Sequence, residues 1–247
     1  MILKISIAEE ADLKNCLIFN LILVLVACGA EKGDEGKVSV SLENNTGTSL
    51  TTDVAPSHFG VKFTYATLRE DQDSQTKSPI GIEAVIYANS NCPTYKTTEK
   101  IDDIEYEYFG SSSCSDGGEF INLARSSGEV NADLNAGQFP VPPTTYKYIT
   151  LCMTGEYQFQ VEGMSAIVEV DRSNDGSGGC ATADLSSNPI TLEEGQSIEI
   201  SINYDLGSTA STQAAGSVGG AGCVNNSDNT IEYCANGANI NISAQVK

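Results

Sequence analysis

Residues 198–206 alternate without a break. Ile198, Ile200, Ile202, Tyr204 and Leu206 are apolar, and Glu199, Ser201, Asn203 and Asp205 are polar. Successive side chains of an extended chain point to opposite faces, so this stretch can bury one face only as a strand. The same rhythm recurs at Val38, Val40 and Leu42, at Phe59, Val61, Phe63 and Tyr65, at Tyr157, Phe159 and Val161, and at Ile240, Ile242, Ala244 and Val246. Less regular apolar runs lie at 80–88, 120–123, 146–153 and 166–170.

Between the runs sit segments rich in Gly, Asn, Ser, Asp and Pro, at 89–93, 110–118, 174–179 and 207–222, which read as turns and loops. No window has the period of an amphipathic helix of ten residues or more. The expected fold is therefore all-β: an antiparallel β-sandwich of about ten strands, with half-buried faces packed together. No repeat of fixed period is present, which argues against propellers and solenoids. The Gly/Ala/Ser/Thr stretch from Gly207 to Gly222 is expected to be a long loop that returns a last strand to the same sandwich.

Four residues near the start, Leu25-Val26-Ala27-Cys28, close an apolar run of twelve that begins at Cys16. A helix that spans a bilayer needs about 20 residues, and the run is shorter. It has the length of the apolar part of an export signal, followed by a small residue at the cut. The four residues resemble the lipobox of bacterial lipoproteins. That resemblance implies a signal peptide at 1–27, a lipidated Cys28 as the mature N-terminus, and attachment to a membrane through acyl chains. Gly29, where an aspartate would favour the inner membrane in such proteins, implies the outer membrane. Residues 1–15 depart from the pattern: Lys4 and Lys14 are outnumbered by Glu9, Glu10 and Asp12. Translation is therefore expected to start near Leu13, from an alternative start codon, with Lys14 and the amino group supplying the positive charge. Residues 28–36 are polar, carry three glycines and read as a flexible tether, leaving 37–247 as the β-sandwich domain.

Six cysteines remain beyond Cys28: Cys92, Cys114, Cys152, Cys180, Cys223 and Cys234. An even set in an exported chain reads as a disulfide framework. Six cysteines allow fifteen pairings. Pairing of sequence neighbours is expected, because each adjacent pair brackets a breaker-rich loop.

A second resemblance rests on spaced motifs between 133 and 206. Asn135-Ala-Gly-Gln-Phe-Pro-Val-Pro-Pro is followed by Tyr146-Lys-Tyr-Ile-Thr-Leu, Leu192-Glu-Glu-Gly and Ile200-Ser-Ile-Asn-Tyr-Asp. The order is similar to uncharacterised bacterial lipoprotein domains with a transthyretin-like or immunoglobulin-like sandwich. It implies the sandwich and carries no catalytic residue.

Candidate chemistry is sparse. The formal net charge of −20 opposes binding to nucleic acid or to an anionic membrane. Asp171, Ser173 and Asp175, with Gly176 at the turn, match the first half of a calcium loop. Position twelve is Thr182 instead of the bidentate glutamate, so calcium is the one cofactor raised and the ligand set is incomplete. His58, the only histidine, has no G-x-S-x-G elbow to serve. Asp102, Asp103, Glu105 and Glu107 sit beside Tyr106 and Tyr108. Paired carboxylates can hydrolyse glycosides, and exposed tyrosines can stack on sugars. The expected function is that of a lipid-anchored envelope protein without enzymatic activity, with a binding, adhesion or structural role. The alternatives are a tyrosine-based binding module for glycan or protein, or a hydrolase.

Overall fold

The computed structural model describes residues 31–44, 56–112, 114, 117–162, 164–171, 179–204 and 242–247, and the backbone of 210–214, 223–225 and 231–235. The chain is mostly strand, with one helix among the described residues. In order, the elements are β1 (Gly36–Asn44), β2 (His58–Gln72), β3 (Pro79–Ala88), β4 (Thr94–Ile101), β5 (Ile104–Ser112), β6 (Ile121–Asn122), α1 (Ser127–Leu134), β7 (Phe139–Val141), β8 (Thr145–Tyr146), β9 (Tyr148–Gln160), β10 (Val168–Asp171), β11 (Gly179–Asp184), β12 (Ile190–Thr191), β13 (Ser197–Tyr204), β14 (Ala210–Ala214), β15 (Cys223–Asn225), β16 (Ile231–Ala235) and β17 (Ile242–Val246). The surplus over ten consists largely of two- and three-residue strands inside connections, too short to show a period.

Two sheets make the sandwich. One has the order β17-β13-β1-β7. The other has the order β10-β9-β2-β3, with β11 also on β9 and β6 also on β2. Their facing sides form one apolar core. Val38, Val40, Leu42, Ile200, Ile202 and Tyr204 come from the first sheet, and Phe59, Val61, Phe63, Leu151, Tyr157 and Phe159 from the second. These are the residues that the alternation singles out, apart from Leu151 of the less regular run. Residues at the alternate positions of the first sheet are polar, and Lys247 crosses them with its Nζ 2.5 Å from Glu43 and 3.2 Å from Glu199.

Two details differ from the expectation. Strands β1 and β13 are parallel, with Lys37 opposite Ser197 and Asn44 opposite Tyr204. Alternation reports which face is buried and is blind to chain direction, so the all-antiparallel reading fails at this pair. Tyr65 does not continue the face of Phe59, Val61 and Phe63. The register of β2 against β9 shifts between Val61 and Phe63 and again between Phe63 and Ala66. Such an irregularity moves every later side chain to the other face, and Ala66 and Leu68 become the buried residues.

Helix α1 was not expected, yet its start is written in Ser126-Ser127-Gly128-Glu129. Ser126 caps the Glu129 amide and the Glu129 carboxylate returns to the Ser126 amide, which is a reciprocal capping box. The helix ends at Asn135, held left-handed at φ 45°. It guards an exposed strand edge. The Asn131 amide accepts from the Leu42 N–H at 2.6 Å and donates to the Leu42 carbonyl at 3.0 Å, as a neighbouring strand would.

The Gly207–Gly222 stretch is also more structured than expected. It contains β14, which pairs with β16 in a small sheet of order β14-β16-β15. The last strand does return as expected: β17 lies antiparallel on β13, with Tyr204 opposite Ile242.

Candidate functional site

Strands β4 and β5 form a hairpin that packs on β3 and β7. Asp102 and Asp103 are its two-residue turn, with φ of 50° and 69°. Both angles positive is the geometry whose twist suits a tight hairpin, and aspartate is among the few residues that tolerate it. These two carboxylates thus serve the turn. Glu105 and Glu107 alternate with Tyr106 and Tyr108, as expected. The Glu107 carboxylate takes a hydrogen bond from Lys96 Nζ at 2.5 Å, and this bond together with the lysine charge holds it below the usual range. A glycosidase acid needs the opposite, a carboxyl that keeps its proton near neutrality.

The tyrosine face expected for sugar stacking is closed. Tyr106 and Tyr108 are 4% and 6% exposed. Tyr106 is covered by the incoming chain: a Cβ at Gly33 would lie 2.2 Å from Tyr106 Cε1. No larger residue fits at 33 without moving that ring. Burial pushes the Tyr106 and Tyr108 hydroxyls above the ordinary phenol range, and neighbouring carboxylates add to it.

The segment 31–36, expected as free tether, is tied down on two sides. Lys32 bridges Glu105 in parallel. The Glu105 N–H donates to the Glu31 carbonyl at 2.9 Å and the Gly33 N–H donates to the Glu105 carbonyl at 3.0 Å. On the other side the Gly195 N–H donates to the Asp34 carbonyl at 3.0 Å, and the Asp34 N–H donates to Glu194 Oε1 at 3.1 Å. The Glu107 N–H donates to Glu35 Oε1 at 2.9 Å. Polar, glycine-bearing composition suggested a solvated coil, but here the backbone groups find partners on β5 and in the turn that precedes β13. Glycine at 33 is what permits the close approach.

Two of the expected disulfides are present. Cys92–Cys114 closes the base of the β4–β5 hairpin, with a Cα separation of 4.8 Å. Cys152–Cys180 joins directly opposed positions of β9 and β11, 4.0 Å apart at Cα. Each closes a loop worth about 3 kcal/mol on the chain-entropy account. The side chains of Cys223 and Cys234 lie outside the described residues, but their backbone positions are directly opposed across β15 and β16, as Cys152 and Cys180 are. Peptide mapping without reductant is expected to recover a Cys223–Cys234 linked peptide. A free thiol at either position, or linkage to one of the other four, contradicts this pairing.

His58 begins β2 and is half-buried. Its Nε2 donates to the Gln158 side-chain oxygen at 3.2 Å, so its partner is an amide and not the serine or acid of a triad. Asp171 ends β10, exposed and opposite Glu156. Ser173 and Asp175 of the calcium-loop reading lie outside the described residues, as do Cys28 and the signal segment. Among the described residues, no group of three or more His, Cys, Asp or Glu is placed to hold a metal ion. No helix of the described residues is long and apolar enough to cross a membrane. The two disulfides indicate an oxidising compartment, hence an exported chain. No family model, no curated protein and no solved structure matches the chain.

Proposed function

We propose that this chain is a lipid-anchored protein of a bacterial envelope, held by acyl chains on Cys28, with a binding, adhesion or structural role and no catalytic one. The observation that carries the reading is the Leu25–Cys28 motif, which closes an apolar run just ahead of a β-sandwich whose described cysteines are paired by oxidation. Gly29 favours the outer membrane. The paired cysteines support export, the rigid sandwich supports a scaffold role, and the connections between strands are where contacts with partners would be carried. The net charge of −20 argues against nucleic acid as a partner. Tyr106 and Tyr108 are covered, so a glycan site built on those two rings is not supported.

Changing Cys28 to serine is the test. The wild type is expected in the membrane fraction, carrying metabolic label from an alkyne-tagged fatty acid. The Cys28→Ser protein is expected to lose the label and to leave the membrane fraction. A Cys28→Ser protein that still carries fatty acid and still sediments with membrane overturns the reading.

A further inference from the structure

We propose that the protein stands on the bilayer by one fixed pole, with the β4–β5 turn resting among lipid headgroups. The inference rests on the lipid-anchor reading and adds an orientation to it.

Little chain lies between the anchor and the first fixed residue. Glu31 is already paired to Glu105 through its carbonyl. Only three residue steps separate it from Cys28, so the lipidated residue lies within about 10 Å of Glu31 even when fully extended. Gly33, Asp34 and Glu35 are fixed in turn by Glu105, Gly195, Glu194 and Glu107. The two-sided attachment stops this segment from swinging as a free linker would.

The direction follows from the register. The incoming segment runs parallel to β5. Followed backwards, from Gly33 to Glu31, it heads toward the start of β5 and the turn at Asp102 and Asp103. The lipid must therefore leave the body beside that turn. From the same pole β1 and β13 run side by side in the opposite direction, from Gly36 to Asn44 and from Ser197 to Tyr204. The eight paired residues of each strand carry the far ends roughly 23 Å away. The start of α1 lies at that far end, where Ser127 Oγ meets the Asn44 N–H. The connection from β13 to β17, which includes β14, β15 and β16, departs from that far end too, since Tyr204 is opposite Ile242.

Charge does not drive the contact. Asp102, Asp103, Glu31 and Glu194 at this pole outnumber Lys32 and Lys100, and carboxylates are repelled by anionic headgroups. The acyl chains must supply the affinity, and the short, pinned leader converts that affinity into orientation. The pole that faces away is then the one that holds Asn44, Tyr204 and the start of α1.

The chain contains no tryptophan, so a single introduced tryptophan reports its own position. Lys100→Trp places one beside the hairpin turn, on a side chain 55% exposed. Gly128→Trp places one at the far end, where an added Cβ meets nothing within 4 Å. Each full-length protein would be purified in its lipidated form and reconstituted into zwitterionic vesicles carrying a nitroxide on the lipid headgroup. Lys100→Trp is expected to lose its emission and Gly128→Trp to keep it. Thr98→Trp, on the same exposed strand, is expected to follow Lys100→Trp, which covers a failure of the first variant to fold. Inserting twelve Gly/Ser residues after Ala30 gives the leader an r.m.s. span of roughly 20 Å, and the loss of emission should then shrink while the protein still floats with vesicles. Equal quenching at both poles, quenching at Gly128→Trp alone, or no effect of the insertion overturns the orientation and leaves the anchor standing. A protein that does not float with vesicles at all overturns the anchor, and the orientation with it.

Discussion

Replacing Phe59 with alanine is expected to cost about 3–5 kcal/mol of folding stability. Phe59 is fully buried on β2, between β9 and β6. Its ring stacks on Tyr157 with centroids 6.1 Å apart. Its backbone is fixed as well: the N–H donates to Asn122 Oδ1 at 3.0 Å and the carbonyl accepts from Leu123 at 2.8 Å. The surroundings therefore cannot collapse into the space left by the ring, and the cavity cost adds to the lost transfer energy. Domains of ordinary stability have about 5–15 kcal/mol in all, so the variant should unfold at markedly lower urea. Phe59→Leu, which refills part of the volume, should lose less. Urea midpoints for the three proteins measure this, and a loss below about 1 kcal/mol for the alanine variant would place Phe59 outside the rigid core.

Stability is also expected to fall steeply in alkali. Burial pushes the Tyr87 and Tyr204 hydroxyls up to about 12. Burial pushes Tyr146 further in the same direction, with the Glu70 carboxylate adding to it. All three are buried among core residues. The Tyr204 hydroxyl donates to the Leu123 carbonyl and that of Tyr146 to the Pro142 carbonyl, each at 2.9 Å. Below pH 10 the phenols are protonated in both folded and unfolded chains, and the stability is intact. As pH rises from 10 toward 12 the unfolded chain ionises first and is favoured. A two-unit rise at Tyr87 alone is worth up to about 2.7 kcal/mol, and the other two act with the same sign. Melting temperature should drop across that window together with the appearance of tyrosinate absorbance. A flat melting temperature through it would mean that the hydroxyls reach solvent in the folded chain.

The carboxylates act on the acid side with much less force. Asp71 beside Lys147, Glu107 beside Lys96 and Glu199 beside Ser41 and Lys247 are all held below their ordinary range. Their contribution is present above the normal carboxylate pKa and fades as pH falls through the lowered values. They are exposed to solvent, so acid should soften the protein only gradually.

The core was legible in the alternation of Val38 to Leu42, Phe59 to Phe63, Tyr157 to Val161 and Ile200 to Tyr204, because a half-buried strand repeats every two residues. It failed at Tyr65 because an irregular register consumes a residue without leaving a composition signal. The parallel pairing of β1 and β13 was invisible for a related reason: the side-chain period is the same in either direction. The two disulfides followed from bracketed loops. Helix α1 could have been found from Ser126 and Glu129, three residues apart ahead of Val130; a search for ten-residue periodicity passes over eight residues. The covered state of Tyr106 could not have been found. It depends on Gly33 arriving from 73 positions earlier in the chain, and exposure is a property of such partners.

The parallel pair has a consequence for the order in which the molecule can be assembled. Lys37 must wait for Ser197, 160 residues later, before β1 has its long neighbour. Until then, among the described elements, β1 has beside it only the short β7 and the Asn131 side chain of α1, and its other edge is open. Contacts between segments so far apart in sequence form slowly, because loop-closure entropy is lost before any contact repays it. A chain delivered N-terminus first thus holds an unsatisfied strand through most of its delivery. The second sheet, whose central strands are complete by Gln160, can form earlier and offer that strand a surface to rest on. The late-arriving β13 then acts as a closing step, and exposure of β1 before that moment is the interval in which aggregation competes with folding.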